Sequence, residues 1–384
     1  MHFPRSPFQT RPCNHFFAIL LFVVLASGLL LVSTANALDP RLAAVNDWLY
    51  VLQPESPASI TDIAASAFDL VVMDYSADGS SEGAFTPQEI SALKATGKVV
   101  IAYLSIGEAE AGRFYWDPAW VDQQPNDPDA PAWLGPFNPD FPDNYKVRFW
   151  MADWQEIIFG IATGPTASYL DRIVDQGFDG VYLDIIDGFD FWSVDVPERS
   201  RDQTRVDMMT FVQGLAQYAR VTRGISNFLV FPQNGSDIIL DGGGILDAPG
   251  LAYLAVIDGI GVEDVFYDET TPQPPGEVDF RTNVLTSYLD AGGDQRVVIS
   301  TDYVWNETAP TDSPNITRYD DYVSQAITAG YIPYATVLDR DLNEIVTADT
   351  ADGFSVPQPR PGGGEVFTDG FESGNTAAWS LTVP

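Results

Sequence analysis

Beyond residue 37 the chain contains no histidine and no cysteine, because His2, His15 and Cys13 all fall in the first 37 residues. Three lysines remain, Lys94, Lys98 and Lys146, and none ends a predicted strand. Once the leading segment is removed, disulfides, thiol nucleophiles, Ser-His-Asp triads and His-ligated zinc are excluded. A Schiff-base lysine is disfavoured as well. Proton transfer in an enzyme of this composition falls to Asp, Glu and Tyr.

That leading segment has the layout of a signal peptide. Arg5 and Arg11 precede an apolar run from Phe16 to Val32, and Ala35-Asn36-Ala37 supplies a small-x-small cleavage pattern. The run approaches spanning length, so an uncleaved anchor is the alternative; the cleavage pattern favours removal of residues 1–37 and a secreted protein, extracellular or periplasmic, without stable membrane insertion. No cysteine follows the run to carry a lipid.

Positive charge is scarce too. Against 19 Lys and Arg stand 54 Asp and Glu, a formal charge of −35 that becomes −37 without Arg5 and Arg11. Such a field repels nucleic acid and anionic glycans and attracts cationic partners. It also suits the solubility of an exported protein. With 45% apolar and 12% aromatic residues the chain is globular rather than disordered.

What is present is a strand–helix repeat. Eight short apolar runs, Trp48–Leu52, Leu70–Asp74, Val99–Ser105, Gly180–Asp184, Phe228–Pro232, Val256–Val262, Val297–Thr301 and Ile332–Val337, are continuous rather than alternating, as parallel strands covered on both faces should be. Helical patterns separate them: one opened by Pro165, with Tyr169, Leu170, Ile173 and Val174 apolar and Gly177 at its stop; one over Asp202 to Arg220; one over Thr317–Thr328 before Gly330. The pattern predicts an α/β fold, a (β/α)8 TIM barrel over 38–349. A doubly wound sheet lacks its Gly-rich phosphate loop here. A long insertion rich in Trp, Pro and Asp, from about Gly107 to Thr163, interrupts the repeat after the third strand, and loops this long are usually functional. Residues 350–384 read as a Pro/Gly linker and a tail outside the barrel.

In such a barrel the active site sits at the C-terminal ends of the strands. Those ends carry Asp74, Glu108 and Glu110, Asp184 and Asp187, Gln233 and Asn234, Glu263 and Asp264, and Asp302 and Tyr303. Most Asp and Glu in so acidic a chain are simply solvated. Asp184 and Glu263 differ, because apolar strands deliver them into a partly desolvated mouth where a carboxyl pKa rises, as a general acid requires. Trp116, Trp120, Trp133, Trp150 and Trp154 in the insertion, with Trp192 and Trp305, offer apolar faces for sugar rings. The plainer reading, a small core for the insertion, applies first to Trp150 and Trp154.

Trp48-Leu-Tyr-Val-Leu-Gln53, Asp69-Leu-Val-Val-Met-Asp-Tyr75, Ala102-Tyr-Leu-Ser-Ile-Gly-Glu108, Gly177-Phe-Asp-Gly-Val-Tyr-Leu-Asp184 and Gly261-Val-Glu-Asp-Val-Phe-Tyr267 resemble blocks of glycoside hydrolase family 114, the endo-α-1,4-polygalactosaminidase-like group, over about residues 45 to 340. The resemblance implies a barrel that hydrolyses α-1,4-linked galactosamine polymers; no cofactor or metal is expected. It implies Asp184 and Glu263 as the catalytic pair, and Asp74, Tyr103, Ser105, Glu108 and Asn234 around the sugar; Asp187, Asp302 and Tyr303 join that set from their strand-end positions. In a retaining scheme Asp184 would attack the anomeric carbon while Glu263 protonates the leaving oxygen and then activates water. The alternative is a non-catalytic glycan-binding barrel, with the aromatic platform but no need for the acid pair. A calcium-dependent scaffold is weaker, since the acidic stretches Asp190–Glu198 and Asp264–Glu269 lack EF-hand spacing.

Overall fold

Each of the eight apolar runs forms a parallel strand in the computed structural model: β1 (Trp48–Tyr50), β2 (Leu70–Met73), β3 (Val99–Ser105), β4 (Gly180–Asp184), β5 (Leu229–Pro232), β6 (Gly259–Glu263), β7 (Val297–Trp305) and β8 (Ile332–Val337). The structure describes residues 38–52, 59–120, 130–160, 167–291, 294–306, 308–309 and 312–346. The expected leader 1–37, Pro165 and the tail 350–384 lie outside the described residues.

Strands β1 to β5 pair in chain order, and so do β6, β7 and β8. A single parallel bridge, Gln233 to Gly261, joins the two groups, and the Asn234 N–H donates to the Gly261 carbonyl at 2.8 Å. The last strand meets the first through a side chain rather than a ladder: the Trp48 indole donates to the Ile332 carbonyl at 3.0 Å. Helices Ile60–Ala65, Pro87–Lys94, Tyr169–Gln176, Arg201–Gln217, Ala248–Leu254, Pro275–Leu289 and Ser313–Thr328 follow the strands in alternation. This is the (β/α)8 barrel. Reciprocal capping fixes two helix starts, at Thr86/Glu89 and Ser200/Gln203; the helix expected from Pro165 starts at Tyr169 behind a Ser168 cap, and the one expected from Thr317 starts a turn earlier, at Ser313.

Aromatic side chains fill the barrel axis. The Trp48 ring lies 5.7 Å from Tyr50, 6.3 Å from Tyr182 and 5.7 Å from Tyr334, and Tyr50 lies 5.3 Å from Tyr182. Glycines on β6 make room for this plug. A Cβ at Gly261 would stand 1.9 Å from the Tyr182 hydroxyl, and one at Gly259 would stand 2.2 Å from the Phe231 ring. No helix among the described residues is long and apolar enough to cross a membrane.

The insertion folds as a three-stranded antiparallel sheet, with Asn144–Val147 between Glu108–Glu110 and Leu134–Phe137, followed by a helix over Ala152–Ile158. Its tryptophans form a chain of ring contacts, Trp116 to Trp120 to Trp133 to Trp154, with Trp116 also stacked on Tyr145 at 4.8 Å. Trp133, Trp154, Trp192 and Trp305 are buried. These four rings are core, because a small three-stranded sheet needs its own apolar interior to hold a fixed shape, whereas Trp116, Trp120 and Trp150 are half-buried and keep exposed surface.

Candidate active site

Two carboxyl groups stand at the inward ends of β4 and β6. Asp184 shares its face of the strand with Tyr182, and Glu263 with Gly261, so both acids continue the line of the axial plug up into the mouth. The Tyr103 hydroxyl donates to Asp184 Oδ2 at 2.6 Å, and the Ile185 N–H donates to Asp184 Oδ1 at 2.7 Å. Glu263 is held in the same manner. Tyr303 donates to its Oε1, Asn234 Nδ2 donates to its Oε2 at 2.8 Å, and the Glu263 N–H returns a bond to Asn234 Oδ1 at 2.9 Å. Each acid thus has a phenol on one oxygen and an N–H donor on the other.

The backbone beneath them is bent in a repeated way. Ile185, Asn234 and Asp264, at the ends of β4, β5 and β6, have φ of 58°, 57° and 52°. A left-handed conformation costs a β-branched residue such as Ile185 about 1–3 kcal/mol. Strain of this kind persists only where neighbours enforce it. Here Gly107 presses on the turn: a Cβ at Gly107 would stand 2.2 Å from the Ile185 carbonyl oxygen, so glycine alone permits the approach. The turns after three successive strands aim Asp184, Asn234 and Glu263 toward one space.

Burial pushes the Asp184 carboxyl up to about 8, with the charge of Glu263 adding to the rise and the Tyr103 and Ile185 hydrogen bonds opposing it. That coupling places Glu263 within electrostatic reach of Asp184, and the buried phenols of Tyr50 and Tyr182 feel the charge of both. Asp187 lies on the same rim. Solvent reaches it, yet enough protein surrounds it to raise its pKa through lost hydration, with Lys146 opposing and Glu108 reinforcing. An exposed group with a desolvated carboxyl is what the wall of a concave site looks like.

The expected sugar-binding residues separate into two sets. Asp187 is exposed, Asn234 is half-buried beside the pair, and Tyr103 and Tyr303 touch the pair directly. Asp74, Ser105, Glu108 and Asp302 are instead buried and engage protein partners. Arg113 donates to both Asp74 oxygens and also pairs with Glu110. The Ser105 hydroxyl donates to the Glu108 carbonyl at 3.0 Å. Glu108, 1% exposed, is engaged by Lys146 and by Asn138 at 3.0 Å. Asp302 has no exposed surface and accepts from the N–H groups of Val265, Phe266 and Tyr267 at 2.8–3.0 Å. It shapes the loop after β6. Sequence reasoning missed Arg113, Lys146, Arg281 and Arg340, which organise these acids from loops and helices that no motif marks. No group of three or more Asp or Glu among the described residues is arranged to hold a metal ion.

A parallel eight-stranded barrel with two phenol-held carboxyls at the C-terminal ends of β4 and β6 has the architecture of a barrel glycosidase. The sequence profile of glycoside-hydrolase family GH114 matches residues 31–352, and the chain belongs to that family. It is 37% identical over 301 residues to an uncharacterized protein of Methanocaldococcus jannaschii, covering 78% of each chain. It is 34% identical over 328 residues to one of Thermotoga maritima, covering 85% of this chain and 92% of that one. Among solved structures it is similar to the glycoside hydrolase domain of PelA from Pseudomonas aeruginosa, with a TM-score of 0.52 and 17% identity over 81% of this chain and 98% of that domain. At that identity the likeness concerns the fold. The protein is a glycoside hydrolase.

Proposed function

We propose that this hydrolase is exported and cleaves α-1,4-linked galactosamine-type polysaccharide, with Asp184 and Glu263 as its catalytic pair. The observation that carries the reading is the twin arrangement of these acids, each fixed by a phenol and an N–H donor and each delivered at the end of a barrel strand, after Tyr182 of the axial plug on β4 and after Gly261, which packs against that plug, on β6. Two-carboxylate hydrolysis needs one acid protonated and one ionised. Burial, with the charge of Glu263 adding to it, favours the protonated form of Asp184 in the protein alone.

A cationic sugar changes that balance. An ammonium group near Asp184 favours its ionised form. In this scheme Glu263 acts as the acid and gives a proton to the glycosidic oxygen as that bond breaks, while the Asp184 carboxylate bonds to the anomeric carbon. Water, losing its proton to Glu263, then displaces Asp184 and restores the starting state. The acidic rim, with Asp187 exposed on it, offsets the positive charge that otherwise disfavours an oxocarbenium beside an ammonium.

The test incubates the protein lacking residues 1–37 with α-1,4-polygalactosamine and with a panel of neutral α-glycans, scoring released oligosaccharides by mass spectrometry beside Asp184→Asn. Release from the cationic polymer by the wild type alone is expected, and the anomer first formed, read by proton NMR, tells retention from inversion. Release only from a neutral glycan would overturn the substrate. Glycan binding without products, unchanged in Asp184→Asn, would select the non-catalytic barrel.

A further inference from the structure

Arg340 lies beyond β8, in the segment that follows the last strand of the barrel. Its guanidinium carbon stands 4.1 Å from the centre of the Tyr303 ring, and its Nη2 donates to both oxygens of Asp264 at 2.9 Å each. Tyr303 is the phenol that donates to Glu263, and Asp264 is the next residue after Glu263. One cation therefore grips the Glu263 corner from two sides. Arg340 and Asp264 both sit in left-handed backbone, with φ of 64° and 52°; Asp tolerates that conformation, whereas Arg340 is held in one that its residue type disfavours.

Resting on the two-carboxylate reading above, we infer that Arg340 is a positioning residue for Glu263, acting through the Tyr303 ring. A cation over a phenol face restrains the ring and draws charge toward itself, which makes the hydroxyl a stronger donor to a carboxylate. The surrounding groups leave this task to Arg340. Arg281, the other cation near this corner, is occupied by the backbone carbonyls of Asp264 and Glu263 at 2.7 Å each. Asn234 reaches Glu263 from β5 but is neutral. Asp184 from β4 and Asp264 itself are acids, and Tyr50 and Tyr182 from the floor are buried phenols. Lys146 belongs to Glu108, in the inserted sheet.

The experiment compares Arg340→Met, Tyr303→Phe and the double variant, each checked for folding by circular dichroism, and uses two readouts. The first is the pH profile of kcat on the glycan that the wild type cleaves. Arg340→Met is expected to lose about tenfold to a hundredfold in kcat with KM little changed, and to move the alkaline limb of the profile, set by Glu263 as the acid, to higher pH. The double variant is expected to be no worse than the more damaged single, because both changes act through the same Tyr303–Glu263 hydrogen bond, one removing it and the other weakening it. The second readout needs no substrate. In protein labelled with carbon-13 at tyrosine Cζ, the Tyr303 resonance, assigned by its loss in Tyr303→Phe, responds as its carboxyl partner takes up a proton. The midpoint of that response is expected to rise by about half a pH unit or more in Arg340→Met. An unmoved midpoint, or kinetic losses that multiply in the double variant, would overturn the inference. Glu263→Gln separates the two claims: full activity there sinks the catalytic pair, whereas an inactive Glu263→Gln beside a normal Arg340→Met sinks only Arg340.

Discussion

At the scale of single residues, the division of labour between two similar acids is the central question. Asp184 and Glu263 have matching supports, so geometry alone does not distinguish nucleophile from acid. Chemistry does. Glu263→Gln is expected to be nearly inactive on unactivated glycans and better preserved, by about tenfold or more, on aryl glycosides with good leaving groups, which need less protonation. Rates of the two substrate types measured side by side check this, and equal loss on both would return the acid role to Asp184. The sequence made these two acids legible because each ends a short apolar run. It did not make Asp302 legible. Its run was expected to stop at Thr301, but β7 continues to Trp305. With side chains alternating along that longer strand, Tyr303 points into the mouth and Asp302 points away. Arg340 was hidden for a different reason: its partner Asp264 is 76 residues away, and nothing local marks a cation that works across that distance.

At the scale of elements, β6 bears the heaviest constraint. It needs glycine at 259 and 261 to clear Phe231 and Tyr182, and two residues later it must present Glu263. Gly261→Ala places a methyl group 1.9 Å from the Tyr182 hydroxyl, and no rotation of a buried ring in a filled axis removes that clash. The strand must shift. The expected result is a loss of about 1–3 kcal/mol in stability together with a larger fall in kcat, since Glu263 moves with its strand. Urea unfolding and steady-state kinetics on the same preparation measure both, and a stable, fully active Gly261→Ala would refute the close-approach argument. The insertion shows where pattern reading fails. Aromatic density suits both a binding face and a core, so its tryptophans carried both readings in the sequence. Burial separates them: Trp133 and Trp154 are core, while Trp116, Trp120 and Trp150 keep exposed surface.

At the scale of the whole molecule, the eightfold strand–helix repeat was readable throughout, because strands buried on both faces give unbroken apolar runs that helices do not imitate at that length. The cost of the acidic interior was less visible. Burial raises Asp184 to about 8, Asp47 and Asp302 to about 7, and Asp74 and Asp264 to about 6. Each has a folded pKa above its unfolded value near 4, so the stability it lends is complete below about pH 4 and is lost as pH rises through about 6 to 8. Asp39 and Asp247 work in the opposite sense, held low by Arg41 and Arg205, and lose their contribution only on acidification below their ordinary range. The melting temperature is therefore expected to peak near pH 4–5 and to decline toward pH 8. Asp184→Asn should gain on the wild type progressively over that interval, as calorimetry at several pH values will show; a wild-type melting temperature that climbs from pH 5 to 8 would contradict the burial argument.

The column of Trp48, Tyr50, Tyr182 and Tyr334 closes the cylinder from below. With buried rings beneath Asp184 and Glu263, a glycan lying across the mouth is expected to slow the traffic of protons between the pair and bulk water, so that the pair re-equilibrates with the surrounding pH chiefly after the sugar has left.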